Sequence, residues 1–168
     1  MAGVSNIYMT NYYHMDLHQY NVTVTWTADR KGIMCSPELS GATLQGGCLE
    51  VATPPQFPKG MAGIWSPEHL YTAAISSCLM TTFLAIAENS KLDFVSFKCA
   101  STGKLEQVDG KFRMTEVVLD PVVEITDPEQ REKALRVLHK AEANCLISNS
   151  VTAKVSMNPV VEILEFQA

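Results

Sequence analysis

Sulfur supplies the most reactive side chains in this sequence, as Cys35, Cys48, Cys78, Cys99 and Cys145. The number is odd and no two form a C-x-x-C pair, which argues against a secreted disulfide framework and against a zinc knuckle. The five are therefore expected to be free thiols in a reducing compartment. Some must be small hydrophobes of the core and some could react. Cys78 lies in an apolar stretch where Ser76 and Ser77 precede it and Thr81 and Thr82 follow. Cys145 is followed by Ser148, Asn149 and Ser150. Cys99 runs in phase with Val95 and Phe97 and reads as a core residue, while Cys35 and Cys48 show no identifiable partner. Thiol chemistry needs the thiolate, and burial raises a thiol's pKa, so a buried reactive site must supply positive charge. Only Arg30, Arg113, Arg131 and Arg136 offer a guanidinium.

Composition narrows the partners. A net charge of −5 and a pI near 5.3 disfavour nucleic acid, because phosphate binding needs clustered Lys and Arg. No apolar run is read as reaching the roughly 20 residues of a bilayer span. Met1 to Tyr20 is polar and aromatic, without the basic and apolar regions of a secretory signal, so a cytoplasmic location is expected. His14 and His18 stand four apart but find no third ligand nearby, and no metal or other cofactor is expected.

The elements that must position the thiols follow from periodicity. Asn21 to Thr27 alternates Val22, Val24 and Trp26 with Thr residues, the pattern of a half-buried strand. Asp29-Arg30-Lys31-Gly32 is a turn, and Ile33 to Leu44 has room for one or two short strands. Gly46 to Gly63, with Pro54, Pro55 and Pro58, reads as a long loop. Ser66-Pro67-Glu68 starts a helix, with a capping hydroxyl, a proline at the first position and an acid at the positive end of the dipole. That helix should run to about Asn89 with Cys78 near its middle. It is apolar almost all round and so is expected to be covered on every side. Phe94 to Leu105 and Lys111 to Ile125 are strands joined by a turn with Asp109-Gly110. Asp127-Pro128-Glu129-Gln130 opens a second helix, whose stripe of Ala134, Leu135, Val137, Leu138 and Ala141 leads to Cys145. Val151 to Ser156 and Val160 to Phe166 read as further strands. This order is α+β rather than doubly wound, with one domain over residues 21–168 behind an extension of residues 1–20.

Ser66-Pro67-Glu68-His69-Leu70 through Ser77-Cys78-Leu79-Met80 resembles the N-P-E-x-L … A-C helix of the OsmC/Ohr family, the osmotically inducible and organic-hydroperoxide-resistance proteins. Ala141 to Asn149 resembles that family's second cysteine segment, C-P-x-S, with Leu146 standing where the proline is usual. The resemblance spans roughly residues 21–165.

The resemblance implies antiparallel sheets around two central helices, in an intertwined homodimer with sites at the interface. It implies a cofactor-free peroxidase of the antioxidant stress response. Cys78 would attack an organic hydroperoxide and become a sulfenic acid, and Cys145 would resolve it as a disulfide. A dithiol, lipoyl-type being one candidate, would then reduce the disulfide. An arginine oriented by the helix-start glutamate would hold the thiolate. Glu68 matches that glutamate, and Arg30 is the best match for the arginine. Each also has a plain reading, Glu68 as a helix-dipole acid and Arg30 as a solvated turn charge. Phe57, Met61, Ile64 and Trp65 of the loop, with Phe83 of the helix, are candidates to line an apolar substrate pocket, or to be ordinary packing residues. The rival to the enzyme is a non-catalytic small-molecule-binding dimer on the same scaffold. Cationic support for Cys78 would discriminate the two.

Overall fold

The structure, a computed structural model, describes residues 17–39 and 46–164. His14 and most of the N-terminal extension lie outside the described residues.

Helix α1 spans Pro67–Asn89, as its start signals predict. Ser66 is fully buried and caps it, its hydroxyl accepting the His69 backbone N–H. Strands β4 (Ser96–Val108) and β5 (Lys111–Ile125) form the expected hairpin. Asp109 and Gly110 both have positive φ, 51° and 75°, the left-handed pair that a two-residue turn requires. A 3-10 turn at Pro128–Gln130, in which the Asp127 carboxylate accepts the Glu129 N–H at 2.9 Å, leads into α2 (Arg131–Ala143). Strands β6 (Lys154–Met157) and β7 (Val160–Ile163) then lie parallel to two stretches of β5. Helices α1 and α2 pack together over this sheet. Ile75, Leu79, Phe83 and Ala87 of α1 meet Ala134, Val137, Leu138 and Ala141 of α2, with Val117, Leu119, Val123 and Ile125 of β5 beneath.

The helix is not covered on every side within one chain. Its buried residues form a single stripe at a spacing of four, while Met80 and Leu84 on the other flank are 38% and 42% exposed. Contrary to the expectation from sequence, α1 is long and apolar enough to cross a membrane by length and composition. Its stripe nevertheless packs against α2, β4 and β5 as a core helix does.

Before α1 stands a separate antiparallel sheet of β1 (Thr23–Ala28), β2 (Lys31–Cys35) and β3 (Cys48–Ala52). Strand β3 falls inside the stretch expected to be loop. Gly46 and Gly47, with φ of 61° and 74°, turn the chain back onto β2 before the prolines begin. Strand β1 forms as predicted, but Val22, Val24 and Trp26 are 58%, 62% and 73% exposed, so the half-burial is not realised within one chain.

The expectation of five free thiols is corrected in the same sheet. Cys35 and Cys48 face each other across β2 and β3, with Cα atoms 4.2 Å apart, and form a disulfide. Their separation of 13 residues is visible in the sequence, but the register that opposes them is not. A crosslink closing a loop of this size restricts the unfolded chain by an amount worth about 3 kcal/mol.

Phe83 was a candidate for the pocket, but it is fully buried and stacks between Phe94 and Phe97 at centroid distances of 5.2 and 4.9 Å. Phe83→Ala is expected to lower unfolding free energy by about 3–5 kcal/mol in urea titration. A shift under about 1 kcal/mol would contradict a packing role.

Candidate functional site

Where α1 meets the chain leaving α2, Cys78 and Cys145 come near enough to influence each other's ionisation. Cys145 is fully buried, its thiol directed at the Ile75 carbonyl at 3.9 Å. Cys78 is half-buried and open to small molecules. The backbone N–H of Ile147 donates to Cys78 Sγ at 3.4 Å. The Leu146 backbone N–H and the Thr82 hydroxyl, one helical turn on, are near enough to favour ionisation of the same sulfur.

Residues 144–150 hold these amides in place by bonding among themselves. The Asn144 side chain donates to the Lys140 carbonyl at 2.7 Å, capping α2. Asn149 reaches back with its amide to the Ala143 carbonyl at 3.2 Å, and its backbone N–H bonds the Cys145 carbonyl at 3.0 Å. The Ser150 hydroxyl closes on the Leu146 carbonyl at 2.8 Å. The Cys145, Leu146 and Ile147 carbonyls are thus occupied inside the turn, while the Ile147 N–H points out of it to Cys78. Successive backbone amides arranged in this way favour an anion.

The two thiols are driven apart in pKa. Desolvation is the largest influence on Cys78 and raises its pKa. The donors together outweigh it: the Ile147 N–H, the Cys145 thiol, the Thr82 hydroxyl and the Leu146 N–H leave Cys78 below the ordinary thiol value of 9.0. For Cys145, burial pushes the pKa up, and the neighbouring Cys78 adds to the rise against the opposing Ser148 hydroxyl and N–H. Cys78 is therefore the thiol that ionises first and Cys145 the one that holds its proton to higher pH.

The remaining candidates lie elsewhere. Glu68 precedes Cys78 by ten residues, which is about 15 Å along the helix axis. One of its carboxylate oxygens, Oε2, is buried without a hydrogen-bond partner among the described residues. Arg30 is exposed in the β1–β2 turn; its backbone carbonyl accepts the Thr53 N–H at 3.0 Å, and its guanidinium makes no ion pair among the described residues.

A cavity of about 540 Å³ opens between the first turns of α1 and strand β4. Phe57 and Trp65 line it, with Glu68, Ser76, Cys99 and Met114, whereas Met61 and Ile64 do not. Phe57 also packs edge-on against Phe112 at 5.3 Å. Ser76, on the cavity wall, is about 200° around the helix from Cys78, so within one chain the cavity and the thiol pair occupy opposite flanks of α1. Cys99 is half-buried against the core and also lines the cavity, with Ser101 and Ser76 in a short hydrogen-bonded row. Sequence reasoning missed Leu146, Ile147 and Thr82. The first two act through main-chain atoms that side-chain identity does not reveal, and Thr82 was visible only as part of a hydroxyl-rich stretch.

A family model described as OsmC-like protein matches residues 60–159. An uncharacterized Bacillus subtilis protein, YmaD, is 25% identical over 146 residues, covering 83% of this chain and 91% of its own length. Among solved structures, an OsmC-like protein of unknown function from Vibrio cholerae is similar with a TM-score of 0.73 and 25% identity, over 86% of this chain and all of its own. A Legionella pneumophila structure titled as an organic hydroperoxide resistance protein has a TM-score of 0.67 at 20% identity, over 88% and 98% of the two chains.

The split ionisation has a direct readout. In the wild-type protein, alkylation by iodoacetamide resolved by peptide mapping should reach half its maximal rate below pH 9.0 at Cys78 and above it at Cys145. Leu146→Pro removes one N–H from the sulfur and should move the Cys78 midpoint upward. An unmoved midpoint would mean that this amide does not support the thiolate.

Proposed function

Because the chain belongs to the OsmC-like protein family, we propose that it is a cysteine-based peroxidase that reduces organic hydroperoxides to alcohols. The observation that carries this reading is the pair of neighbouring thiols whose pKa values are pushed in opposite directions. A peroxidase needs one thiolate to attack and one retained thiol to resolve, and here the thiol that ionises first and the one that holds its proton longer are different residues.

In the proposed cycle the Cys78 thiolate attacks the distal oxygen of the hydroperoxide. The O–O bond breaks, the alkoxide leaves and takes a proton to become the alcohol, and Cys78 becomes a sulfenic acid. The Cys145 thiol then attacks Cys78 Sγ, the S–O bond breaks, and water departs with the Cys145 proton. The resulting disulfide is reduced by a small or protein-bound dithiol, a lipoyl-type group being one candidate, through a mixed disulfide. No cofactor enters the cycle. The nearness of the two thiols, each influencing the other's ionisation, supports a disulfide between them.

Glu68 and Arg30 enter this reading across a homodimer interface. Glu68 is three helical turns from Cys78 of its own chain, its Oε2 is buried without a partner among the described residues, and it lines the cavity with Phe57 and Trp65. A second copy seated on the open flank of α1 and on the uncovered β1 face would bring the cavity and its glutamate to Cys78 of the first. Arg30 would bridge that carboxylate to the thiolate, and Phe57 and Trp65 would hold the organic part of the substrate. We take the cytoplasm as the compartment of this chemistry.

The position of the cavity favours a second reading, a dimer that binds a small molecule there without thiol chemistry. One experiment separates the two. Reduced protein treated with cumene hydroperoxide should lose two titratable thiols per chain and none from the Cys78 pair in Cys78→Ser. Cys145→Ser should stop at a sulfenic acid trapped by dimedone. Unchanged thiol counts in the wild type would overturn the peroxidase and leave the binder.

A further inference from the structure

Chemistry at Cys78 leaves the Cys35–Cys48 disulfide unused. The three-stranded sheet that carries it is weakly held by anything else. None of its residues joins the hydrophobic cluster of the helices and the larger sheet. Val24 and Trp26 on β1 are exposed. A small sheet of short strands with an uncovered face is marginal by itself.

The ties from this sheet to the rest of the chain gather at one end of the β2–β3 ladder. There the Ala52 N–H bonds the Trp65 carbonyl at 2.8 Å and Val51 pairs with Trp65, while the Thr53 N–H closes the sheet on itself at the Arg30 carbonyl, 3.0 Å away. Cys35 and Cys48 occupy the opposite end, four residue pairs away. A ladder anchored at one end opens from the other, and the crosslink stands where opening would begin. Both cysteines are only half-buried, so a small thiol has access to them. Disulfides in a reducing compartment are usually catalytic or sensing rather than structural.

We propose that Cys35–Cys48 is a second redox centre, a staple opened by dithiols whose oxidation state decides whether β2 and β3 are locked together. The inference does not depend on the peroxidase reading. One sulfur of the dithiol, as thiolate, attacks Cys35 or Cys48 Sγ. The protein S–S bond breaks, a mixed disulfide forms, and the displaced cysteine takes a proton. The second dithiol sulfur then closes on the first, releasing the other cysteine as a thiol. Two electrons pass to the protein and the dithiol leaves as its cyclic disulfide, so the same couple run backwards restores the staple.

Hydrogen exchange on the full chain, with dithiothreitol as the probe, tests this. Mass spectrometry of alkylated samples reports whether Cys35 and Cys48 are reduced. When they are, amides of residues 31–35 and 48–52 should exchange at least about tenfold faster, while those of β5 and of the α1 stripe change by less than about twofold. The Cys35→Ser/Cys48→Ser variant should exchange at the fast rate with or without dithiothreitol. Reduced cysteines with unchanged exchange in the two strands would overturn the proposal. So would a double variant as slow as the oxidised wild type, or a disulfide that yields only when the whole chain unfolds.

Discussion

A thiol in a protein interior resists ionisation because the charge must leave water, and at Cys78 a set of fixed donors opposes that resistance. Two are main-chain amides, from Leu146 and Ile147, in a turn whose Cys145, Leu146 and Ile147 carbonyls are bonded within it. The turn in turn depends on α2 ending against α1, which depends on the stripe of Ala134, Val137, Leu138 and Ala141 meeting Ile75, Leu79 and Phe83. Core packing, helix crossing and thiol ionisation are therefore one connected arrangement. Loosening the helix pair would move the amides away from the sulfur and restore the desolvation penalty unopposed.

The difference between the two thiols has a simple origin. Cys145 lies deeper and directs its one hydrogen at the Ile75 carbonyl. Cys78 lies nearer the surface and receives donors. Each influences the other with the appropriate sign, since the Cys145 thiol as donor lowers the Cys78 pKa while the negative charge on Cys78 raises that of Cys145. Such a pair is better described by its shared titration than by two separate constants. The leucine at position 146 matters here, because a proline would bring no N–H to the cradle.

Much of this was legible in the sequence wherever a local rule was decisive. Ser66-Pro67-Glu68 marked the start of α1, Asp109-Gly110 marked the hairpin, and Cys78 with Cys145 stood out by the hydroxyl residues near them. What could not be read was relative placement. A register relation opposes Cys35 to Cys48, and no pattern of side chains announces it. Phe83 looked like a pocket residue because apolar residues for a core and for a cavity are the same types, and only the direction of the stripe separates them. The ten-residue interval between Glu68 and Cys78 suggested partnership, yet on a straight helix it means three turns of separation.

The uncovered surfaces give that separation its significance. An apolar helix flank, an exposed strand carrying Val24 and Trp26, and a buried carboxylate oxygen without a donor among the described residues are each costly for an isolated chain. Water can wet the first two at moderate cost, but Glu68 Oε2 is withdrawn from it. A carboxylate oxygen in that position is stable only with a donor brought to it, and a guanidinium supplies the strongest pairing among the side chains. Arg30 sits on the sheet that has the fewest attachments to the rest of its own chain. The residues least satisfied within one chain are thus the ones proposed to act at Cys78, which ties assembly and thiolate chemistry to the same carboxylate.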